Sequence, residues 1–361
     1  MKHVTTCLFL LANAAAAARP QQDPPHVTLE PPHLAVGVDA RQTTELVMTF
    51  DQPMDQSTHA LCGGGLSFPK VIEVTWRDAR TCVAQVSLLP DSVYAMDLSC
   101  AGSSGFRSRD GVRLPHTPWR IATRGQAFTE GQAASATARL FRVIDDHYSY
   151  RDRLGIDWNE LERTHHDLLT TAPDGPAFAL RCAAMLAAAQ DLHVGVRWND
   201  CTLPTWQREI QPNFDLRGLQ KAMPKLTRVG RIGLTARTDD GIGYLLVSSF
   251  AREQRDDFER VLTTLRDLRD CKALVLDVRN NGGGDELLAK RLAAFFVDGD
   301  KVYAAHRVRD PQAAEGFRAV EERRLRGNAE PDVFGGEVAV LMGPANMSSC
   351  EAFLLMMKQA K

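Results

Sequence analysis

Two apolar runs in the last third of the chain end in turns that open helices. The first reads "KALVLDVRNNGGGDELLAKRLAAFF" (272–296) and the second "VAVLMGPANMSSCEAFLLMMK" (338–358). Runs this continuously apolar have no face to offer water, so each must be covered on both sides. "GIGYLLVSSF" (241–250) and the amphipathic "REQRDDFERVLTTLRDLRD" (252–270) come before them. The order is therefore strand, helix, strand, helix, strand, helix. That order predicts an α/β layer with a mostly parallel sheet.

The rest of the chain follows other rhythms. "TELVMTF", "VIEVTWRD", "CVAQVSL" and "YAMDLSC" alternate with period two between turn residues, which predicts an all-β sandwich over 27–125. "ELVMTFDQPMD" and "LLPDSVYAMDL" resemble the bacterial Ig-like domains of secreted proteins. Residues 128–195 carry helical periodicity and predict a small helical bundle, with Pro176 near a helix start. Residues 197–240, with Pro204, Pro212 and Pro224, read as irregular. They begin a last domain, 197–361.

Residues 1–20 resemble an export signal. Lys2 and His3 precede an apolar stretch from Val4 to Ala12, and alanines after Asn13 offer small-residue cleavage sites. An exported chain is periplasmic or secreted, and its cysteines can oxidise. Removing Cys7 leaves seven, with no C-x-x-C among them, so zinc is not indicated. At least one disulfide is expected among Cys62, Cys82 and Cys100, with Cys82–Cys100 favoured. Lys plus Arg total 43 against 45 Asp plus Glu. That balance leaves no electrostatic footprint for nucleic acid. No membrane span is expected once the signal is removed.

Both turns can sit at one edge of one sheet, and both can do chemistry. Ser348 stands at a helix start with Glu351 three residues on, which spells a capping box. A structural cap is the plain reading. The same position places a hydroxyl beside unpaired backbone N–H groups, where an oxyanion would be stabilised. Gly283 and Gly284 bring bare backbone to such a site. A phosphate cradle fits less well, since the loop is neither G-x-G-x-x-G nor followed by Gly-Lys-Ser/Thr. A serine nucleophile needs a base. His193, in "AAQDLHVGVRW", is the aptest histidine, although a structural histidine is the default. The others fall in the signal, the proline-rich entry, the β module, polar helix faces or a basic segment.

Together these segments resemble the tail-specific (C-terminal-processing) serine peptidases and their relative, the tricorn core protease. The motifs are D-x-R-x-N-x-G-G at a strand end and a serine three residues before a glutamate at a helix start. "YSYRDRLGIDWNEL" and "DLHVGV" resemble the helical subdomain and D-x-H segment of the members that use Ser-His chemistry. The resemblance spans 128–361 and implies a catalytic core of the ClpP/crotonase-like type. It implies Ser348 as nucleophile, His193 as base, and the N–H groups of Gly283 and Ser349 as oxyanion hole. Glu351, Asp191 and Asn281 would stand behind them, and Asp277 and Arg279 would be structural. No cofactor or metal is implied, and the substrate would be a polypeptide.

Two departures matter. Residues 199–240 are too few for the PDZ domain many members carry, so tail recognition is not implied. Cys350 adjoins the nucleophile turn, and a Cys-His peptidase is an alternative because thiolates also gain at helix N-termini. Other rivals are a non-catalytic peptide-binding protein and a crotonase-type acyl-transfer enzyme. The apolar helix after Ser348 has nothing following it to cover it. The expectation is an incomplete catalytic domain, with further partners of the histidine beyond residue 361, or a homo-oligomer that supplies the cover.

Overall fold

The computed structural model describes residues 23–98, 105–153, 155–208, 210–328 and 333–360. Residues 1–20, read above as a signal, and Cys100 lie outside them. The chain divides into two compact units: residues up to 124 together with 199–201, and residues 125–198 together with 202–361.

Among its described residues the first unit has seven strands: β1 (Val27–Glu30), β2 (Ala35–Val38), β3 (Glu45–Phe50), β4 (Lys70–Trp76), β5 (Thr81–Ser87), β6 (Val93–Asp97) and β7 (Pro118–Thr123). They form two sheets, ordered β1-β3-β5-β4 and β2-β7-β6. The alternation in β3 sends Leu46, Met48 and Phe50 inward. There they meet Trp119 and Ile121 of β7 in one core. Cys62 is disulfide-bonded. Cys82 is a free, fully buried thiol, so the Cys82–Cys100 pairing expected above does not form. Cys82 sits on the inward face of β5 and packs as a small hydrophobe.

The second unit opens with α1 (Gln132–His147), α2 (Trp158–Thr170) and α3 (Gly175–Leu186). Asp157 and Asp174 cap α2 and α3 by accepting the N–H groups of Glu160 and Ala177. Phe141, Ile144, Trp158, Leu169, Met185 and Leu186 make their common core. A short pair follows, β8 (Gly195–Trp198) and β9 (Cys201–Pro204).

The segment read as irregular contains α4 (Leu216–Ala222), β10 (Thr227–Val229) and β11 (Gly233–Arg237). These elements are short and bounded by prolines, so no periodicity develops over them. After them come β12 (Ile242–Val247), α5 (Arg255–Asp267), β13 (Ala273–Asp277), α6 (Glu286–Ala293), β14 (Asp300–His306), β15 (Glu321–Arg326), β16 (Glu337–Leu341) and α7 (Ser349–Met357). The central sheet runs β10-β11-β12-β13-β16. β12, β13 and β16 are parallel, as the strand–helix rhythm predicts. β10 and β11 add antiparallel at one edge, so the sheet is mixed rather than mostly parallel.

Both faces of that sheet are covered over β12 and β13, whereas β16, at the edge, leaves Ala339 exposed, so the second apolar run is not covered on both sides as its sequence predicts. Leu245, Val247, Leu274 and Leu276 pack against Phe258, Val261 and Leu265 of α5, Leu292 of α6 and Phe353 and Met356 of α7. Tyr244 and Leu246 point the other way, toward Phe214, Leu219 and Met223 around α4. This is why β12 shows no polar alternation. The helix α7 is covered on one face, burying Cys350, Ala352, Phe353 and Met356, while Leu355 is exposed. The loop joining β14 and β15 meets the helical part of this unit. Arg309 donates to the Asp145 carbonyl at 2.6 Å and pairs with Asp152 at 2.6 Å. Among the described residues no helix is long and apolar enough to cross a membrane.

Candidate active site

The glycine loop begins where β13 ends on a buried carboxylate. Asp277 is fully buried, and Arg279 forks onto it with contacts of 3.0 and 2.6 Å. Tyr244 donates its hydroxyl to the same carboxylate at 2.7 Å. Hydrogen bonding to Asp277 raises the Arg279 guanidinium above its ordinary value. Burial first, and then the hydrogen bond to Asp277, push the Tyr244 phenol well up. A buried charge demands a partner of this kind, so the aspartate and arginine of the motif lock the strand end. Asn281, also fully buried, donates to the Val247 carbonyl at 3.1 Å and accepts the Gly283 N–H at 2.8 Å.

Gly283 has φ +94. A Cβ built there would lie 2.7 Å from the Met347 carbonyl, 3.0 Å from the Ser349 nitrogen and 3.1 Å from the Ser348 Cβ. Glycine is therefore required twice, for the dihedral and for the approach. The Gly283 carbonyl accepts from the Phe250 N–H at 3.0 Å. Ser349 Oγ donates to the Gly284 carbonyl at 2.7 Å. The glycine loop and the serine turn are thus in direct contact, and Gly283, Ser348 and Ser349 meet as expected from their order in the chain.

Ser348 closes the capping box with Glu351 that its spacing predicts, but its backbone is not that of an ordinary helix cap. Its backbone has φ 56 and ψ −126, a region that L residues avoid and that stores strain on the order of 1–3 kcal/mol. Its N–H donates to the Glu351 carboxylate at 2.9 Å, the contact expected of the S-x-x-E pair. A normal capping serine sits in the β region without strain. The turn here resembles the sharp strand-to-helix bend found in α/β-hydrolases. Ser349 is the first residue of α7, and its N–H has no partner among the described residues.

His193 lies in the other part of this unit, after α3. Its Nδ1 is 3.3 Å from Asp191 Oδ1, its N–H donates to the same oxygen at 2.9 Å, and its side chain is 62% exposed. Asp191 Oδ2 accepts from the Tyr148 hydroxyl at 2.9 Å. Tyr148, Asp191 and His193 therefore form one chain, and among the described residues the His193 Nε2 makes no hydrogen bond. Burial first, and then Asp191, push the Tyr148 phenol up, so it stays a donor. Tyr148 was not singled out from the sequence, because a tyrosine in "YSYRD" gives no local sign of a partner 43 positions on. Among the described residues no hydrogen bond joins His193 to Ser348.

Cys350 is fully buried, and burial pushes its thiol up to about 12. A buried thiol of this kind is inert, which removes the thiol alternative. Among the described residues no cluster of His, Cys, Asp and Glu is arranged to hold a metal ion.

No curated protein matches the chain. Among solved structures, a candidate peptidase from Parabacteroides merdae is 19% identical with a TM-score of 0.53, covering 63% of this chain and 72% of its own. At that identity the likeness is one of fold. The photosystem II D1 C-terminal processing protease is 15% identical with a TM-score of 0.35, covering 63% of this chain and 78% of its own. An S41 protease candidate from Bacteroides fragilis is 17% identical with a TM-score of 0.27, covering 44% and 39%. Residues 241–361 match the family described as Peptidase family S41. The C-terminal third of the chain thus matches peptidase family S41, the tail-specific family that its glycine loop and serine turn resemble.

Proposed function

We propose that the chain is an exported serine endopeptidase of the Ser-His branch. The observation that carries this reading is the Ser348 backbone, held at φ 56 and ψ −126 against a glycine whose Cβ would strike the serine turn. Strain of this kind is retained where it presents a reactive group. In the mechanism, Ser348 Oγ attacks a peptide carbonyl while His193 Nε2 takes its proton. Asp191 accepts from Nδ1 and fixes the tautomer, and Tyr148 holds Asp191. The imidazolium then protonates the leaving amine. Water, deprotonated by the same histidine, releases the acyl group.

The oxyanion would be held by the N–H groups of Ser349 and Gly283. The Gly283 N–H donates to Asn281 in this structure, so it must share or exchange that bond as the oxyanion forms. That same bond favours a second reading, a peptide-binding protein without turnover.

The proposed organisation has a signal at 1–20, an Ig-like module at 27–125, a helical subdomain at 128–195 and a ClpP/crotonase-like core at 197–361. The disulfide at Cys62 supports an oxidising compartment. The test is labelling of the purified chain with a fluorophosphonate, followed by mapping of the modified peptide. Modification at Ser348 that vanishes in Ser348→Ala and slows by orders of magnitude in His193→Ala is the expected result. No modification, together with measurable peptide binding, would establish the second reading.

A further inference from the structure

Asn346 lies two residues before Ser348 and is buried at 6% exposure. Its side chain uses every group it has. Oδ1 accepts the Gly343 N–H at 2.8 Å, and Nδ2 donates to the Val278 carbonyl at 2.6 Å and the Asn281 carbonyl at 3.1 Å. Val278 and Asn281 belong to the loop after β13, and Gly343 follows β16. One amide therefore ties together the ends of two neighbouring strands. Asn281, whose carbonyl Asn346 holds, carries the tie on to β12 through Val247 and to the Gly283 N–H. The two buried asparagines form a single clasp from β12 to the serine turn.

We propose that Asn346 is a positioning residue for the hydrolytic step, setting the serine turn at the spacing from Gly283 that the reaction requires. This rests on Ser348 being the nucleophile. The chemistry of the site calls for an amide. Two carbonyls need donors and one N–H needs an acceptor within a single small side chain. Aspartate has the same shape, yet it would set a carboxylate against two carbonyl oxygens. Threonine offers one donor and one acceptor. Alanine leaves the buried Asn281 carbonyl and the half-buried Gly343 N–H unpaired, and the Val278 carbonyl with the Asn281 N–H alone. The contact that depends on the clasp is close, since a Cβ on Gly283 would lie 3.1 Å from the Ser348 Cβ. The Ser349 N–H and the glycine loop must converge on one oxyanion, and small displacements there are costly.

The experiment compares Asn346→Ala, Asn346→Thr and Asn346→Asp with the unaltered chain by fluorophosphonate labelling, resolved into binding of the probe and rate of modification, well below each melting temperature. Thr137→Val, which removes the buried hydroxyl bond to Ala133 in α1, is the control for lost stability alone. Asn346→Ala should slow modification by about 10- to 100-fold with little change in probe binding, because a misplacement of about 1 Å has that scale of effect. Asn346→Thr should recover part of the rate, and Asn346→Asp should be slowest. Hydrogen exchange should show residues 281–285 and 343–349 losing protection together. Modification of folded Asn346→Ala at the unaltered rate would overturn the proposal, as would an equal loss in Thr137→Val. If Asn346→Ala does not fold, an unslowed Asn346→Thr overturns it. An unaltered chain that is not labelled removes the hydrolase reading, and this proposal with it. A labelled chain indifferent to Asn346 removes the proposal alone.

Discussion

Replacing Gly283 with alanine separates the two reasons for glycine in the loop. The dihedral comes first: an L side chain at φ +94 costs about 1–2 kcal/mol. The collision comes second. A methyl group 2.7 Å from the Met347 carbonyl and 3.1 Å from the Ser348 Cβ forces the serine turn outward, and overpacking of this kind costs about 1–3 kcal/mol. Together they amount to roughly 2–5 kcal/mol. For a unit of this size each kcal/mol lowers the melting temperature by roughly 2–4 °C. Gly299→Ala is the matched control, because Gly299 also has positive φ (+65) but nothing lies within 4 Å of its added Cβ. It should show the dihedral part alone and label normally. Gly283→Ala should melt lower than Gly299→Ala and lose labelling by about 100-fold or more, the scale of one lost oxyanion donor. The assay is thermal unfolding beside fluorophosphonate labelling of folded protein. If Gly283→Ala matches Gly299→Ala in both, the glycine loop does not bear on the serine turn and the reasoning fails.

Three further outcomes follow from the same geometry. Ser348→Gly should abolish labelling yet raise stability by about 1 kcal/mol, because glycine relieves the φ of 56; a lower melting temperature would count against strain at that residue. Cys350, its thiol pushed up to about 12, should resist iodoacetamide in the native chain and react only after denaturation, as mass mapping would show. Asp285 caps α6, and the Leu287 N–H holds its carboxyl below the ordinary value of 3.8. A depressed folded value makes that contribution complete above the unfolded value and lost as pH falls through the folded one. Asp285→Ala should therefore cost about 1 kcal/mol near neutral pH in urea unfolding, and the gap should close at acid pH. A gap that persists there would mean the carboxylate charge is not what caps the helix.

The parts of this molecule legible in its sequence are those whose cause is local. β13 is apolar up to Asp277 because neither of its faces is open to water, β16 keeps its apolar run although it lies at the sheet edge with Ala339 exposed, and the loop and turn that follow them are marked by glycine and by S-x-x-E. What escaped was set at a distance. β15 reads EERRLR, a charged run with no apolar rhythm, and it is a strand because β14 pairs with it. β10 spans only three residues. Cys82 is close in sequence to Cys100, yet it faces the core and Cys62 carries the bond. At the candidate site, Ser348 and Gly283 stood out because each must break a local rule. Tyr148 and Asn346 break none, and their roles come from oxygens brought to them by other elements.

The Ser348 turn also limits which nucleophiles the chain could carry. With φ 56 and ψ −126, Ser348 lies where β-branched residues are genuine outliers. Threonine, chemically the nearest alcohol, is therefore disfavoured by shape, whereas cysteine, with one heavy atom on Cβ, meets no such added penalty. The menu of side chains at this turn is written by the main chain before any question of reactivity arises.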